Sequence, residues 1–290
     1  MQLKYSIIVP VYNQWEYIPD LLECIKNQTF DQEQFEVLLV DNGSDILSVP
    51  KFLGANVRFL QCKQPGSYNA RNIGIFASNA RWLVFTDADC LPDKNWLASL
   101  DQGIANLSLS ESTIFAGHVE TVPSGKFPSL YEIYDIVKGI PQHKYVKKGY
   151  AATANFACSR ELANNLGGFD GKLYSGGDHE FCKRAQHKGV RLKYLPNMRV
   201  SHRARVNASE VFTKARRLKG GQFMQAKRGT RWITVLRTLS PPIFAVKDLM
   251  LSIEHPYSFR IKAVLVLVLV WFVEIWEVLR ISFFMSPERR

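Results

Sequence analysis

The chain has no C-x-x-C pair among its five cysteines (Cys24, Cys62, Cys90, Cys158 and Cys182), and their number is odd. Both facts argue against a disulfide framework and a zinc cluster, and for a reducing compartment where the thiols fill core space. There is no Gly-x-Ser-x-Gly, no Walker loop and no His-Glu-x-x-His, so serine hydrolase, nucleoside triphosphatase and zincin readings lack support. No internal repeat or low-complexity tract interrupts the chain. Its start runs straight into a strand-like segment with no apolar signal region, and a secretory leader is not expected.

Acidic residues are scarce in one stretch. Residues 183–237 hold 16 Lys/Arg against a single acid, Glu210, a local charge of +15; the remaining 21 basic and 25 acidic residues sum to −4. The net charge of +11 therefore resides in one block, which either gathers phosphates, anionic headgroups or nucleic acid, or forms a solvated basic face. The block has few aromatics suited to base stacking and no recognisable motif, so nucleic acid is not an expected partner.

What is present points to a packed α/β protein. With 290 residues, 47% of them apolar, the chain can bury a full core as one large domain or one domain plus an appendage. Tyr5–Val11 is a short apolar run of the kind buried on both faces of a parallel sheet. Asn13 is placed to cap the next helix, where Ile18, Leu21, Leu22 and Ile25 recur at helical spacing. Phe35–Asp41, 57–60 and 82–85 read as further strands, with a helix at 67–78. Repeated strand–helix units with short links predict a doubly wound sheet with helices on both faces. Beyond them, 113–121 and 150–158 read as strands, Ser159 as a helix cap, and 176–188 as a loop entering a helix that Gly189 stops. Two short strands at 191–195 and 198–202 and a basic helix at 209–227 follow.

Residues 263–273 are eleven uninterrupted apolar positions. As a helix they reach roughly 16 Å, about half of a ~30 Å hydrocarbon core. Continuing to Met285 supplies length but brings Glu274, Glu277 and Arg280 inside the span. Each charge at mid-bilayer costs at least ~2.5–3.5 kcal/mol. The favoured reading is a helix lying in one leaflet with Trp271 and Trp276 near the headgroups, over a spanning helix or a buried element of the fold. The basic block just upstream suits an anionic cytoplasmic leaflet, which predicts peripheral or monotopic attachment on that side.

Several carboxylates fall where open α/β sheets bind ligands, beyond the carboxyl ends of strands. Asp87 and Asp89 are one residue apart after a buried strand. Such a pair suits Mg²⁺ or Mn²⁺ held against a diphosphate, although an Asx turn or a helix cap has the same pattern. Asp41 ends a strand before Asn42-Gly43-Ser44, where it can accept from a nucleobase imide or a ribose hydroxyl, or simply start a turn. Arg71, early in a helix, can reach a ribose or diphosphate, or lie on the helix surface. Asp178, in a glycine-led loop, can take a proton from an acceptor hydroxyl; with Glu180 it can also merely favour the helix dipole. His202 closes a strand and is either structural or part of a metal site through a ring nitrogen.

In this order the stretches resemble the inverting glycosyltransferases of family 2, whose nucleotide-sugar-binding domain has the GT-A fold. The resemblance rests on Ser6-Ile-Ile-Val-Pro-Val-Tyr-Asn13, Phe35-Glu-Val-Leu-Leu-Val-Asp-Asn-Gly-Ser44, Ala70-Arg-Asn-Ile-Gly74, Phe85-Thr-Asp-Ala-Asp89 and Gly177-Asp-His-Glu-Phe-Cys-Lys-Arg184, and covers about residues 4–205. It implies a GT-A-type doubly wound mixed sheet over residues 1–205, then a basic helical region and an apolar membrane-associated tail over 206–290.

Residue by residue, the resemblance implies that Pro10 and Tyr12 flank the nucleobase, Asp41 binds the base, and Arg71 lies near the ribose or diphosphate. Asp87 and Asp89 form the metal-binding motif, with Asp89 the direct ligand; His202 assists the metal or diphosphate, and Asp178 is the catalytic base. Two positions depart from the pattern. Many relatives have Asp-Asp where this chain has Asp41-Asn42, and Glu-Asp where it has Gly177-Asp178. The retained second acid keeps the base, while the missing glutamate bears on acceptor recognition.

The implied activity is metal-dependent, with Mn²⁺ or Mg²⁺. A sugar moves with inversion from a nucleotide-sugar, a UDP-sugar in preference to a GDP-sugar, to a saccharide or lipid-linked acceptor. The setting it suggests is polysaccharide or glycolipid assembly at a membrane surface. A catalytically silent membrane-bound adaptor on the same fold is the alternative, because fold alone does not establish activity.

Overall fold

A computed structural model of the chain describes residues 3–50, 54–108, 112–283 and 286–287. The first elements are β1 (Tyr5–Val11), α1 (Ile18–Lys26), β2 (Phe35–Asp41), β3 (Val57–Gln61), α2 (Ser67–Ala77), β4 (Trp82–Thr86), β5 (Cys90–Pro92) and α3 (Trp96–Ala105). They are followed by β6 (Thr113–Val122), α4 (Leu130–Lys138), α5 (Gln142–Lys147), β7 (Asn155–Ser159), α6 (Arg160–Asn165), α7 (Gly177–His187) and β8 (Arg191–Arg203). The chain ends in helices α8 (Ala208–Gln225), α9 (Arg231–Leu239), α10 (Ile243–Met250) and α11 (Tyr257–Phe283).

The strands form one mixed sheet in the order β3-β2-β1-β4-β7-β6-β8-β5. β1 pairs in parallel with β2 and β4, and β2 with β3; β7 runs antiparallel to β4 and β6, and β5 antiparallel to β8. Every residue of β1 and β2 is buried, which is why their sequences run apolar rather than alternating. The chain winds outward from β1 to β3 and returns to β4 on the other side of β1. That reversal opens a crevice beyond the carboxyl ends of β1 and β4, the usual ligand position in such sheets. Helix α2 lies close over β1, since a Cβ at Gly74 would fall 2.4 Å from Ile8 Cγ2.

Three local expectations change in the folded chain. Asn13 does not cap α1; it has φ 52°, exchanges hydrogen bonds with Asp45, and is separated from the helix by a 3-10 turn at Trp15–Tyr17. A long-range partner outcompeted the local cap. The strand expected at 150–158 begins only at Asn155, because the Gln142 side chain takes the backbone of Ala152 and Thr153 N–H turns to Asp178. The two short strands near 191–202 are one, β8, which passes through Pro196 without losing its extended backbone.

The chain divides into two compact units. The first, Met1–Glu120, Ile140–Gly171 and Gly177–His202, is centred on the sheet, with Ile7, Val9, Val37, Leu39 and Val84 in its core. The second comprises Thr121–Gly139, Lys172–Gly176 and Arg203–Arg290. The sequence suggests a single break near residue 205, but the second unit also recruits α4. Ile133, Tyr134 and Val137 of α4 share a core with Val211 and Ala215 of α8 and with Ala263, Val266 and Val270 of α11.

Two of the acids that argue against a spanning tail have partners inside this unit. Glu277 is fully buried and takes two hydrogen bonds from Arg280, each 2.8 Å, and Glu274 pairs with Lys219 at 2.9 Å. Among the described residues no helix is long and apolar enough to cross a membrane.

Candidate active site

Asp41 closes β2 and is buried, with its carboxylate already engaged: Oδ1 accepts from Trp15 Nε1 at 3.1 Å and Oδ2 from Gly43 N–H at 2.9 Å. Asn42 reaches toward the loop before α2. Its Nδ2 donates to Gln64 O (2.7 Å) and Cys62 O (3.3 Å), and its Oδ1 accepts from Gly66 N–H (2.6 Å). An aspartate has no hydrogen to offer those carbonyls, which accounts for asparagine at this position. The clamp fixes the chain where it enters α2.

Helix α2 brings the next groups to the crevice. Arg71, 4% exposed, donates from Nη2 to Asp87 Oδ1 at 2.6 Å, just beyond β4. Asp89 has a different partner. Its Oδ2 stands 3.6 Å from His202 Nε2, and its Oδ1 is buried with no hydrogen-bond partner. The β5–β8 pairing sets this up, because Cys90 lies opposite His202 in register. Asp89, Cys90 and His202 place their ligand atoms within 4.8 Å of one another.

These residues fit a divalent cation. A gap of 3.6 Å is too long for a hydrogen bond, yet it suits two ligands each ~2.1 Å from one ion. A buried carboxylate oxygen without a donor is a group that a cation would satisfy. Burial, and then the Asp89 and Asp87 carboxylates, push the Cys90 thiol well up. The oxygen of Asp89 suits Mn²⁺ or Mg²⁺, and the imidazole of His202 suits Mn²⁺ better than Mg²⁺, which takes oxygen ligands.

Asp178 lies in the first turn of α7, partly exposed. Its Oδ1 accepts from the Tyr68 hydroxyl at 2.7 Å and its Oδ2 from Thr153 N–H at 3.2 Å. The adjacent Ala154 carbonyl accepts from Thr86 Oγ1 at the end of β4, 3.0 Å away. Tyr68 and Arg71 are three residues apart and so share one face of α2, with the guanidinium 5.8 Å from the ring centre. One helix face thus touches both Asp178 and Asp87. Beneath it Phe85, Phe156, Phe169 and Phe181 meet ring to ring at 4.6–5.9 Å, a rigid apolar floor. Glu180 faces elsewhere and binds Arg184 through both oxygens.

Of the remaining positions singled out in the sequence, Pro10 is buried in β1 opposite Val40, and Tyr12 follows β1 half-buried. The aspartates around Ala88 are divided between two partners, Arg71 for Asp87 and His202 for Asp89. Sequence reasoning missed Tyr68 and Thr153. The spacing of Tyr68 from Arg71 was an available signal; Thr153 acts chiefly through its backbone N–H at 3.2 Å, which no residue type announces, with its hydroxyl more distant at 3.5 Å.

Residues 6–109 match the family model described as Glycosyl transferase family 2. The glycosyltransferase AglE of Haloferax volcanii is 32% identical over 262 residues, covering 84% of each chain. Among solved structures, the mannosyltransferase PcManGT from Pyrobaculum calidifontis, in complex with GDP-Man and Mn²⁺, matches with a TM-score of 0.58 at 15% identity, covering 98% of this chain and 88% of the other. S. aureus TarS 1-349 in complex with UDP-GlcNAc matches with a TM-score of 0.53 at 17% identity, covering 85% of this chain and 70% of the other. At those identities the two structures speak to the fold, a mixed GT-A-like sheet with helices.

Proposed function

The chain belongs to glycosyltransferase family 2, and from that premise we propose that it is a metal-dependent, inverting enzyme that transfers a sugar from a UDP-sugar to an acceptor hydroxyl. Nucleotide-sugar donors follow from the family. Proteins of this fold have been seen with both UDP-GlcNAc and GDP-Man; the donor proposed for this chain is the uridine one. The observation that supports the reading best is the shared face of α2, where Tyr68 meets Asp178 and Arg71 meets Asp87.

Asp178 is the base. The acceptor oxygen attacks the anomeric carbon, its proton passes to the Asp178 carboxylate, and the bond to the diphosphate oxygen breaks with its electron pair leaving on the diphosphate. Attack opposite the leaving group inverts the centre. Asp178 Oδ1 has one donor, the Tyr68 hydroxyl, and keeps a second lone pair for that proton, while Oδ2 takes the Thr153 N–H and, at 3.5 Å, its hydroxyl. Arg71, oriented by Asp87, offers its charge to the diphosphate. Asp89 and His202 would hold the cation, which when bound neutralises charge on the leaving group. A diphosphate leaves without protonation, so one carboxylate suffices where glycosidases need two.

We place the enzyme on the cytoplasmic face of a membrane, attached peripherally or monotopically, acting on a saccharide or lipid-linked acceptor. Trp232 of α9, Phe244 of α10, and Leu265, Phe272 and Trp276 of α11 are exposed, Phe244 by 85%. Apolar surface of this kind is a common mark of an interaction surface, and the basic 183–237 stretch is suited to anionic lipid.

The test is nucleotide release from a pool of UDP- and GDP-sugars, with Mn²⁺ or EDTA, alongside UDP titration. Asp178→Asn should bind UDP·Mn²⁺ normally and turn over on the order of 10²–10⁴-fold more slowly. Asp89→Ala should lose metal-dependent UDP binding. Wild-type turnover by Asp178→Asn would remove the base, UDP binding indifferent to EDTA would remove the metal, and binding without turnover by the wild-type chain would favour a silent adaptor.

A further inference from the structure

Position 177 lacks a side chain, and the space one would take is already filled. A Cβ on Gly177 would lie 2.6 Å from Tyr68 Cζ and 2.7 and 2.8 Å from the neighbouring ring carbons, far inside van der Waals contact. The ring has little room to yield. Tyr68 is 8% exposed, stacks on Phe169 at 5.8 Å, and has the Arg71 guanidinium 5.8 Å from its centre.

The hydroxyl of Tyr68 makes two directional bonds. It accepts from Gly177 N–H at 2.8 Å and donates to Asp178 Oδ1 at 2.7 Å. The Gly177 N–H belongs to the first turn of α7, where amides have no partner within the helix. Because that amide can only donate, the single phenolic hydrogen is left to face Asp178. Burial, and then the Asp178 carboxylate, push the phenol up, so it stays a donor.

We propose that Tyr68 is the positioning residue for the base Asp178, supplied from α2 in place of the glutamate side chain absent at position 177, and that glycine at 177 is what admits it. The inference deepens the glycosyltransferase reading and rests on it. With Thr153 N–H and, more distantly, its hydroxyl on Oδ2, both Asp178 oxygens are engaged and its carboxylate cannot rotate freely. Tyr68 and Arg71 stand on the same helix face, so α2 also sets the spacing between the base and the diphosphate side. A role limited to packing would need the ring but not the hydroxyl.

The test uses the full chain, the sugar pool above and UDP·Mn²⁺ titration. Tyr68→Phe keeps the ring; it should melt within about 5 °C of wild type and bind UDP within about twofold. Its kcat should fall on the order of 10- to 100-fold, the loss expected when a reacting group is misplaced by about 1 Å. Gly177→Glu should lose turnover because the new side chain and the ring compete for one space. Combined with Tyr68→Ala, it should turn over faster than either single variant.

Wild-type kcat in Tyr68→Phe, with Asp178→Asn inactive, overturns the proposal and spares the base. Turnover by Asp178→Asn overturns both. An equal loss of UDP affinity and kcat in Tyr68→Phe reassigns the hydroxyl to donor binding. A double variant no faster than Tyr68→Ala overturns the exchange between tyrosine and glutamate.

Discussion

Asn42→Asp would supply the Asp-Asp pair of the family pattern, and in this chain it should be destabilising. Asn42 is 3% exposed, and its Nδ2 faces the Gln64 and Cys62 carbonyls at 2.7 and 3.3 Å. The substitution removes one good and one weak hydrogen bond, about 1–1.5 kcal/mol together, and sets a carboxylate oxygen against two carbonyl oxygens, about 1–3 kcal/mol more. The bond from Gly66 N–H, at 2.6 Å, gains a charged acceptor and offsets about 1 kcal/mol. A net loss of about 1–3.5 kcal/mol follows, or a melting temperature lower by about 2–12 °C.

Its pH dependence has a definite sign. The buried site disfavours the carboxylate, so the folded-state pKa of the introduced group lies above the unfolded value of ~3.9. Below ~3.9 the group is neutral in both states and the charge penalty vanishes. As pH rises the unfolded chain ionises first and stability falls, levelling off once the folded pKa is passed, about one to two units higher for a 1–3 kcal/mol charge penalty. Differential scanning calorimetry of wild type and Asn42→Asp at pH 5 and 7.5 measures this. A melting temperature unchanged at pH 7.5, or a deficit that shrinks as pH rises, would mean that Asn42 does not donate to these carbonyls.

Glu277→Gln should destabilise the helical unit by about 2–4 kcal/mol, somewhat below the cost of breaking a fully buried pair, because the Arg280 side chain is 24% exposed; calorimetry checks it, and a shift under 1 °C would contradict it. Phe244→Glu combined with Trp276→Glu should abolish co-sedimentation with vesicles containing anionic phospholipid while leaving soluble nucleotide release intact. Unchanged sedimentation would exclude that surface from membrane binding.

The sheet's parallel half and the places where its acids stand are legible in the residues alone. Mostly apolar runs such as Tyr5–Val11 and Phe35–Asp41, broken by Ser6 and Glu36, mark strands buried on both faces, and Asp41, Asp87 and Asp89 fall at strand ends by chain order alone. Those are local facts, set by spacing of a few residues. Tertiary structure decided which partner each polar group took. Asp87 went to Arg71 and Asp89 to His202; Asn13 left its expected helix for Asp45; and Asp178 found Tyr68, 110 positions away. A hydrogen bond depends on where two chain segments meet in space, and no periodicity in either segment encodes that meeting. The same reason explains the tail, whose charges argue against a span in sequence and prove in the fold to be ion-paired within their own helical unit.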